Sequence, residues 1–207
     1  MFPLRAIDVK IEINRKRLIG PINLEIEQNG ISILLGANGS GKTTLLEALH
    51  GLRKLSAGKV EWNISNNQAA AEQAFVFQSP IMLRRTVAEN LAFPLKVRRL
   101  SKLTTTTEVM MWAKKIGLED KIRQQAVLLS GGEMQAIAVA RALITKPKML
   151  FLDEPTASLD GATKKAIEDI LISASSNGTK ILMSTHDLGQ LKRLAKDIIF
   201  LHNGIVE

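Results

Sequence analysis

Residues 36–43 read Gly36-Ala37-Asn38-Gly39-Ser40-Gly41-Lys42-Thr43, which matches the phosphate-loop pattern G-x-x-x-x-G-K-[ST]. The apolar stretch ISILLG precedes the motif and the helical stretch KTTLLEALHGL follows it, so the motif joins a buried strand to a helix. Glycines let the backbone curl until successive N–H groups surround a phosphate. We expect Lys42 to reach the β- and γ-phosphates of a nucleotide and the Thr43 hydroxyl to ligate Mg²⁺. A glycine-rich turn with a solvated lysine is the alternative, and the strand–helix context argues against it.

Strand-like and helix-like stretches alternate along most of the chain. IDVKIEI and PINLEIE alternate apolar and polar residues, as half-buried strands do, and GKVEWN and QAFVFQ predict two short strands. Further along, the strands KMLFLD, KILMSTH and DIIFLHNG alternate with helices at 133–146, 161–175 and near LGQLKRLAK. This alternation predicts an α/β fold with a mostly parallel sheet covered by helices.

The segment from about 86 to 128 has a different character. TVAENLAFPL and TEVMMWAKKIGL are helical in pattern, no clear strand interrupts them, and Thr105 with Glu108 fits a capping box. We therefore predict a helical subdomain inserted at about 79–130 into a single domain that spans 1–207.

Composition and charge limit the classes of protein to which this chain can belong. The chain has 207 residues, 45% of them hydrophobic and 23% charged, with no cysteine. No apolar run reaches the ~18 residues of a membrane helix, and the N-terminus lacks the apolar core of a signal peptide. The net charge of +8 fits either a solvated basic surface or a surface near a membrane. Nucleic acid is disfavoured as a partner, because aromatic content is 4% and no basic–aromatic pattern is present.

Two carboxylates follow the apolar strand MLFLDE, residues 149–154. The carboxyl end of a central parallel strand is where ligands bind in such sheets. Asp153 is expected to hold Mg²⁺ through water, opposite Thr43, and Glu154 to orient or deprotonate the attacking water. An acidic pair after a strand is more often a helix cap or a turn, but the phosphate loop favours the catalytic interpretation.

Two other polar residues end strands that lead to the same sheet edge. His186 follows KILMST and is expected to hydrogen-bond the γ-phosphate, and Gln78 ends QAFVFQ, where its amide can reach Mg²⁺ or the water. Alone, either residue would be taken as structural or exposed, as we take His50 and His202.

A second candidate anion site is the stretch LSGGE, residues 129–133, which opens a helix. Free N–H groups at a helix N-terminus and the helix dipole favour negative charge. The alternative is an ordinary glycine-rich helix start.

In order, GANGSGKT, Gln78, LSGGE, MLFLDE, the loop Ala157-Ser158-Leu159-Asp160 and His186 resemble the ATP-binding cassette family over essentially the whole chain. The most specific feature is LSGGE about twenty residues before MLFLDE. The resemblance implies a P-loop NTPase fold with a mostly parallel sheet core, an N-terminal antiparallel β-subdomain and an inserted helical subdomain. It also implies ATP and Mg²⁺ as cofactors and ATP hydrolysis as the activity.

The same resemblance assigns the site residues. Catalytic roles fall to Glu154, His186 and Gln78, and metal binding to Thr43, Gln78 and Asp153. The nucleotide is expected to contact Gly36, Asn38, Gly39, Ser40, Gly41, Lys42, Thr43 and Thr44. In this family two subunits sandwich each nucleotide. By resemblance, Ser130, Gly131 and Gly132 hold the γ-phosphate of ATP bound to a second, identical subunit, and Asp160 lies at the same interface.

Most such domains power a membrane transporter. LLEALHGL, SPIMLRRTVAENLAFPL and STHDLGQLKRLA are similar to ATPase subunits of bacterial tungstate, molybdate or phosphate importers. This similarity predicts a peripheral protein on the cytoplasmic face of the inner membrane, with permease subunits and a periplasmic binding protein as partners and no nucleic acid. The alternatives are an exporter or lipoprotein-release ATPase, and a soluble cassette ATPase acting on nucleic acid or ribosomes.

The sequence departs from the family pattern at two places. The family usually stacks an aromatic residue on adenine, but the corresponding region is IEINRKRLIG. Either Arg15 or Arg17 lays its guanidinium plane on the base, or both arginines are solvated and the triphosphate supplies most of the affinity. The family also tends to place arginine where this chain has Ala136.

Overall fold

The computed structural model describes residues 1–157 and 159–207, which divide into two compact units. The first, here the sheet unit, comprises 1–75, 147–154 and 172–207. The second, the helical unit, comprises 76–146 and 155–171. Ser158, in the predicted loop that resembles the cassette family, lies outside the described residues.

An antiparallel sheet begins the sheet unit. Its strands are β1 (Leu4–Ile13), β2 (Lys16–Ile26) and β4 (Ala57–Trp62), in the order β2-β1-β4. Asn14 and Arg15 both have positive φ, 51° and 63°, as the tight turn between β1 and β2 requires. The expected antiparallel β-subdomain is therefore present.

A second sheet of six strands has the order β5-β6-β7-β3-β8-β9. Its strands are β3 (Ile31–Leu35), β5 (Gln73–Val76), β6 (Met149–Asp153), β7 (Lys180–Ser184), β8 (Asp197–His202) and β9 (Ile205–Val206). The four central strands are parallel, and β9 pairs with β8 in the antiparallel sense. Every residue of β6 and β7 is buried, which explains the apolar runs MLFL in β6 and ILM in β7. The predicted α/β fold is confirmed.

Helices α1 (Lys42–His50), α2 (Asn66–Ala71) and α7 (Leu188–Leu194) belong to the sheet unit, and α6 (Gly161–Ser176) begins in the helical unit and ends in the sheet unit. Leu45, Leu46 and Leu49 place one face of α1 in a core that also includes Phe151 and Leu182 of the sheet. This packing fixes the start of α1, and with it the phosphate loop.

The helical unit contains α3 (Val87–Val97), α4 (Lys102–Lys115) and α5 (Gly131–Leu143), with 3-10 turns at Glu119–Lys121 and Ala126–Leu128. Thr86 and Glu89 form a capping box that begins α3. The limits of the insertion, about 79–130, stay a prediction. No helix among the described residues combines the length and apolar character that crossing a membrane demands.

The predicted capping box of Thr105 and Glu108 is wrong. Helix α4 begins one turn earlier, where the Ser101 side chain accepts a hydrogen bond from the N–H of Thr104. Thr105 lies inside the helix and is buried. Serine is the stronger cap, and it leaves the threonine methyl group free to pack inward.

Candidate functional site

The phosphate loop of the sheet unit requires its glycines. A Cβ on Gly36 would lie 2.3 Å from the carbonyl oxygen of Leu201, and one on Gly41 would lie 2.5 Å from Cγ2 of Ile19. Gly41 also has a φ of 103° and caps α1, for which no side-chain cap is found in the part of the chain that is described. The first-turn N–H groups of α1 are therefore available to a ligand, as phosphate binding demands.

The other loop residues expected at the nucleotide differ in exposure. Asn38, Gly39 and Thr43 are exposed, whereas Ser40 is buried, and Thr44 is half-buried. The Ser40 hydroxyl has no hydrogen-bond partner among the described residues. These positions form one continuous turn into α1, as the motif predicted.

Lys42 is almost fully buried and lies across this loop. Its Nζ donates to the carbonyl oxygens of Gly36 (2.9 Å) and Ala37 (3.2 Å) and stands 3.7 Å from Oε1 of Glu154. The ammonium group thus stands between the loop and the carboxylate predicted to be catalytic.

Asp153 ends β6 and joins two other side chains. Its Oδ2 accepts a 2.7 Å hydrogen bond from the Thr43 hydroxyl, and its Oδ1 accepts a 2.6 Å bond from the Ser184 hydroxyl. The structure therefore brings together the two residues, Thr43 and Asp153, that sequence placed on opposite sides of a metal ion. Hydroxyl and carboxylate oxygens are the donors that Mg²⁺ prefers.

Glu154 is held in an unusual backbone conformation. Its φ is +43°, in the left-handed region, and its N–H donates to Ser184 Oγ at 2.9 Å. The Oε2 atom stands 3.1 Å from Nδ1 of His186, and the two side chains are 12% and 61% exposed respectively. Left-handed backbone in a non-glycine residue is costly and often marks a functional position. His186 and Glu154 meet as predicted.

Sequence analysis missed Ser184, which is fully buried at the end of β7. Its hydroxyl accepts from the backbone N–H of Glu154 while donating to Asp153, so it links the Asp153 carboxylate to the backbone of Glu154. The only sequence signal is a serine that ends an apolar strand two residues before His186.

In the helical unit, Ser130 caps α5 through a reciprocal capping box with Glu133. The Ser130 hydroxyl accepts from Glu133 N–H, and the Glu133 carboxylate accepts from the N–H of Ser130. A hydrogen bond from Lys121, followed by those from Ser130, lowers the pKa of Glu133. The predicted helix start at 133 is corrected to Gly131, and the S-x-x-E pattern within LSGGE was the signal for it.

The glycines of LSGGE, here called the signature, differ in their surroundings from Asp160 and Gln78. A Cβ on Gly131 would meet none of the described residues within 4 Å, whereas one on Gly132 would lie 3.1 Å from Cγ2 of Thr163. Asp160 accepts hydrogen bonds from the N–H (2.9 Å) and hydroxyl (2.7 Å) of Thr163, and the first of these contributes most to its lowered pKa. Gln78 is exposed, two residues past β5.

Two histidines outside the motifs are structural or exposed, as expected, and the residues that depart from the family pattern are described with them. His50 packs edge-on against Phe75 and Phe151, and His202 is exposed beside Asn203. Arg15 and Arg17 are exposed at the β1–β2 turn, and Ala136 is buried on α5.

Comparison with known proteins agrees with this geometry. The family model described as ABC transporter matches residues 19–157. The tungstate uptake ATP-binding protein TupC of Peptoclostridium acidaminophilum is 38% identical over 89% of this chain and 87% of its own length. The phosphate import ATP-binding protein PstB of Campylobacter jejuni is 34% identical over 97% of this chain and 87% of its own.

A solved structure also matches. It is a dimeric ATP-binding cassette in a post-hydrolysis state with ADP and phosphate, at TM-score 0.88 and 26% identity over 99% of this chain and 96% of that one. Other relatives are named for glutamine transport and lipoprotein release. The fold and site define a P-loop ATPase. The chain belongs to the ABC transporter family, as an ATP-binding subunit that hydrolyses ATP.

Proposed function

We propose that the sheet unit carries the hydrolytic half of the ATPase site. The observation that supports this most is the convergence of Lys42, Glu154 and His186 at the mouth of the phosphate loop. Mg²⁺ would be held by the oxygens of Thr43 and Asp153, and when bound it would neutralise charge on the phosphates.

Each side chain of this group has a distinct role in the proposal. Lys42 exchanges the carbonyls of Gly36 and Ala37 for the β- and γ-phosphates, because a hydrogen bond between a cation and an anionic oxygen is stronger than one to a neutral carbonyl. Glu154 accepts the proton of the attacking water, and His186 holds that carboxylate in place and faces the γ-phosphate. Gln78 keeps its predicted role at the metal and the water.

The test replaces the proposed base without changing its shape. Glu154→Gln should lower ATP turnover by at least ~10²-fold while ATP still binds. Glu27→Gln, an exposed glutamate of the same unit, is the matched control and should keep full turnover. Turnover of the Glu154→Gln variant equal to that of the control would contradict the assignment.

We further infer that the signature residues act on a second subunit. Among the described residues, none comes within 4 Å of a Cβ placed on Gly131, so packing does not explain its glycine. A glycine there fits the close approach of a ligand from outside. Ser130, Gly131 and Gly132 would bind the γ-phosphate of ATP held by another copy, as the dimeric relative suggests, and Asp160 would lie at that interface.

The proposed cargo is an oxyanion of the tungstate, molybdate or phosphate type, taken up through permease subunits at the cytoplasmic face of the inner membrane, with a periplasmic binding protein. The similarity to TupC and PstB supports this. Release of lipoproteins is the second candidate, because LolD of Buchnera aphidicola is 34% identical over 97% of this chain.

Uptake measurements in the host cell distinguish oxyanion import from lipoprotein release. Deleting the gene should lower the uptake of labelled tungstate, molybdate or phosphate, and a plasmid copy should restore it, whereas a Glu154→Gln copy should not. Unchanged uptake of all three anions, with lipoproteins retained in the inner membrane, would favour lipoprotein release.

A further inference from the structure

One stretch of the helical unit combines dense positive charge with exposed apolar side chains. Residues 96–104, KVRRLSKLT, are all exposed and run from the end of α3 into the start of α4. We call them the basic tip. Its cations are Lys96, Arg98, Arg99 and Lys102, and the sequence has no carboxylate between Glu89 and Glu108. The positive charge of the tip is therefore not neutralised within the segment.

Aliphatic side chains lie among these cations. Val97 is 65% exposed, Leu100 43% and Leu103 80%. A groove of about 440 Å³ lies between α3 and α4, and its lining combines Lys96, Lys102 and one carboxylate, Glu89, with mostly apolar residues. A cluster of exposed apolar groups this close to cations marks an interaction surface.

The backbone at Arg99 supports a functional role for its charge. The N–H of Arg99 bonds to the carbonyl of Lys96, and that of Leu100 to the carbonyl of Leu95, which together end α3 in a Schellman motif. Arg99 has a φ of 57° at the position of this motif where glycine is usual. Folding alone would favour glycine there, so the guanidinium group has another use.

Arg98 fixes the tip to the rest of the unit. Its Nη1 donates to the carbonyl oxygen of Thr145, just past the end of α5, at 2.9 Å. This leaves Lys96, Arg99 and Lys102 as the cations that can face a partner. Two carboxylates flank this segment in sequence: Glu89 accepts hydrogen bonds from Thr86 and also attracts Lys96, and Glu108 pairs with Lys146.

We propose that the basic tip binds directly to the surface of an anionic phospholipid bilayer. Lys96, Arg99 and Lys102 lie among the lipid phosphates, while the aliphatic side chains enter the boundary between headgroups and acyl chains. The exposed apolar groups of the tip are aliphatic rather than aromatic, which suits lipid better than nucleic-acid bases. This contact requires no permease and is independent of the cargo.

Vesicle binding by the purified chain of 207 residues tests the proposal. The chain should sediment with vesicles of phosphatidylglycerol and phosphatidylcholine, and not with phosphatidylcholine alone, and salt should weaken binding. A cation near an anionic surface contributes a factor of about five in affinity, so Arg99→Glu with Lys102→Glu should lower it at least ~25-fold. The matched control, Lys54→Glu with Lys192→Glu, makes the same change of net charge in the sheet unit and should lower it much less.

Two further substitutions separate lipid contact from other effects. The first tests whether weaker binding comes from a loss of folding, and the second whether it comes from a change of net charge. Arg99→Gly should keep or raise the Tm, because glycine suits the left-handed position, yet weaken vesicle binding about fivefold. Leu103→Gln changes no charge and should weaken it about tenfold. Equal affinities for the tip variants and the control would overturn the proposal. So would failure of the unaltered chain to bind anionic vesicles, which would point to an acidic protein surface instead.

Discussion

Ser184 is the residue on which the orientation of Glu154 depends most directly. Ser184→Ala would remove the acceptor for Glu154 N–H and a donor to Asp153 at once. Since a small displacement of a catalytic group is costly, we expect ATP turnover to fall by about 10–100-fold, with ATP affinity changed far less. Steady-state turnover and equilibrium ATP binding measure the two effects. Ser176→Ala, on an exposed position of α6, is the control, and a Ser184→Ala variant with the turnover of this control would contradict the role.

His50 makes the stability of the sheet unit depend on pH. Burial beside Phe75 and Phe151 lowers the pKa of His50 from 6.5 to about 4. The unfolded chain therefore binds this proton first as pH falls, so the free energy of unfolding decreases between about pH 6.5 and 4, by at most about 3 kcal/mol. Above pH 6.5 the residue has no such effect.

Denaturant unfolding at pH 7.5 and pH 5 tests this prediction. His50→Leu should show a smaller loss of stability between the two pH values than the unaltered chain does. His202→Gln, which replaces the exposed histidine, should leave the loss as it was. An unchanged pH dependence in His50→Leu would refute the prediction.

At the residue scale, the sequence predicted the functional groups that can be recognised from the residue type and its motif. Lys42, Thr43, Asp153, Glu154 and His186 were all predicted, and the structure brings them together in the sheet unit. The role of Ser184 depends on the pairing of β6 with β7, which places it beside Asp153, and no local pattern reports a pairing between strands so far apart in sequence.

Among the elements, α3 is joined to the loop before it through one buried amide. The Asn90 side chain donates to the carbonyls of Leu83, Arg85 and Thr86 and accepts from Leu83 N–H and the Arg141 guanidinium. Burial lowers the pKa of Arg141, because the charged guanidinium is partly removed from water. Loss of the Asn90 side-chain oxygen would therefore leave this cation without one of its acceptors. Asn90→Ala should lower the free energy of unfolding by roughly 2–4 kcal/mol, because several buried polar groups lose partners together.

Chemical denaturation measures this loss, and Asn67→Ala, on exposed α2, should change the free energy of unfolding by under about 0.5 kcal/mol. Similar stabilities for the two variants would show that the loop does not depend on Asn90.

Apolar periodicity predicted which segments are helices and which are strands, but it did not always predict the residue at which a helix begins. Both Ser101 and Thr105 can cap α4, and the structure uses Ser101 because Thr105 faces inward. Helix α2 was not predicted, since its sequence NNQAAA carries no apolar face and its start rests on the capping box of Ser65 with Gln68. Local signals of this kind compete, and tertiary packing decides between them.

At the scale of the whole molecule, the sheet unit carries one of the two proposed phosphate-binding sites and the helical unit carries the other. If they act on separate nucleotides, each would need its own Mg²⁺ and base, but Asp153 and Glu154 belong to the sheet unit only. If they act together across two copies, each ATP receives the phosphate loop of one subunit and the signature of the other. The second arrangement uses every motif once per nucleotide.

Mixing two inactive variants distinguishes these arrangements. Lys42→Ala disables the phosphate loop, and Gly131→Asp places a negative charge where the γ-phosphate would bind. An aspartate there has space and favours the helix N-terminus, so the fold is kept. In an equal mixture half of the dimers combine both variants and keep one intact composite site, so roughly a quarter of the normal ATPase rate should return if one site suffices. Mixing Lys42→Ala with Thr43→Ala is the control, because no dimer then contains an intact phosphate loop. Recovery in the control, or ATP-dependent crosslinks that join positions 42 and 131 only within one chain, would show that the two phosphate-binding sites do not meet across subunits.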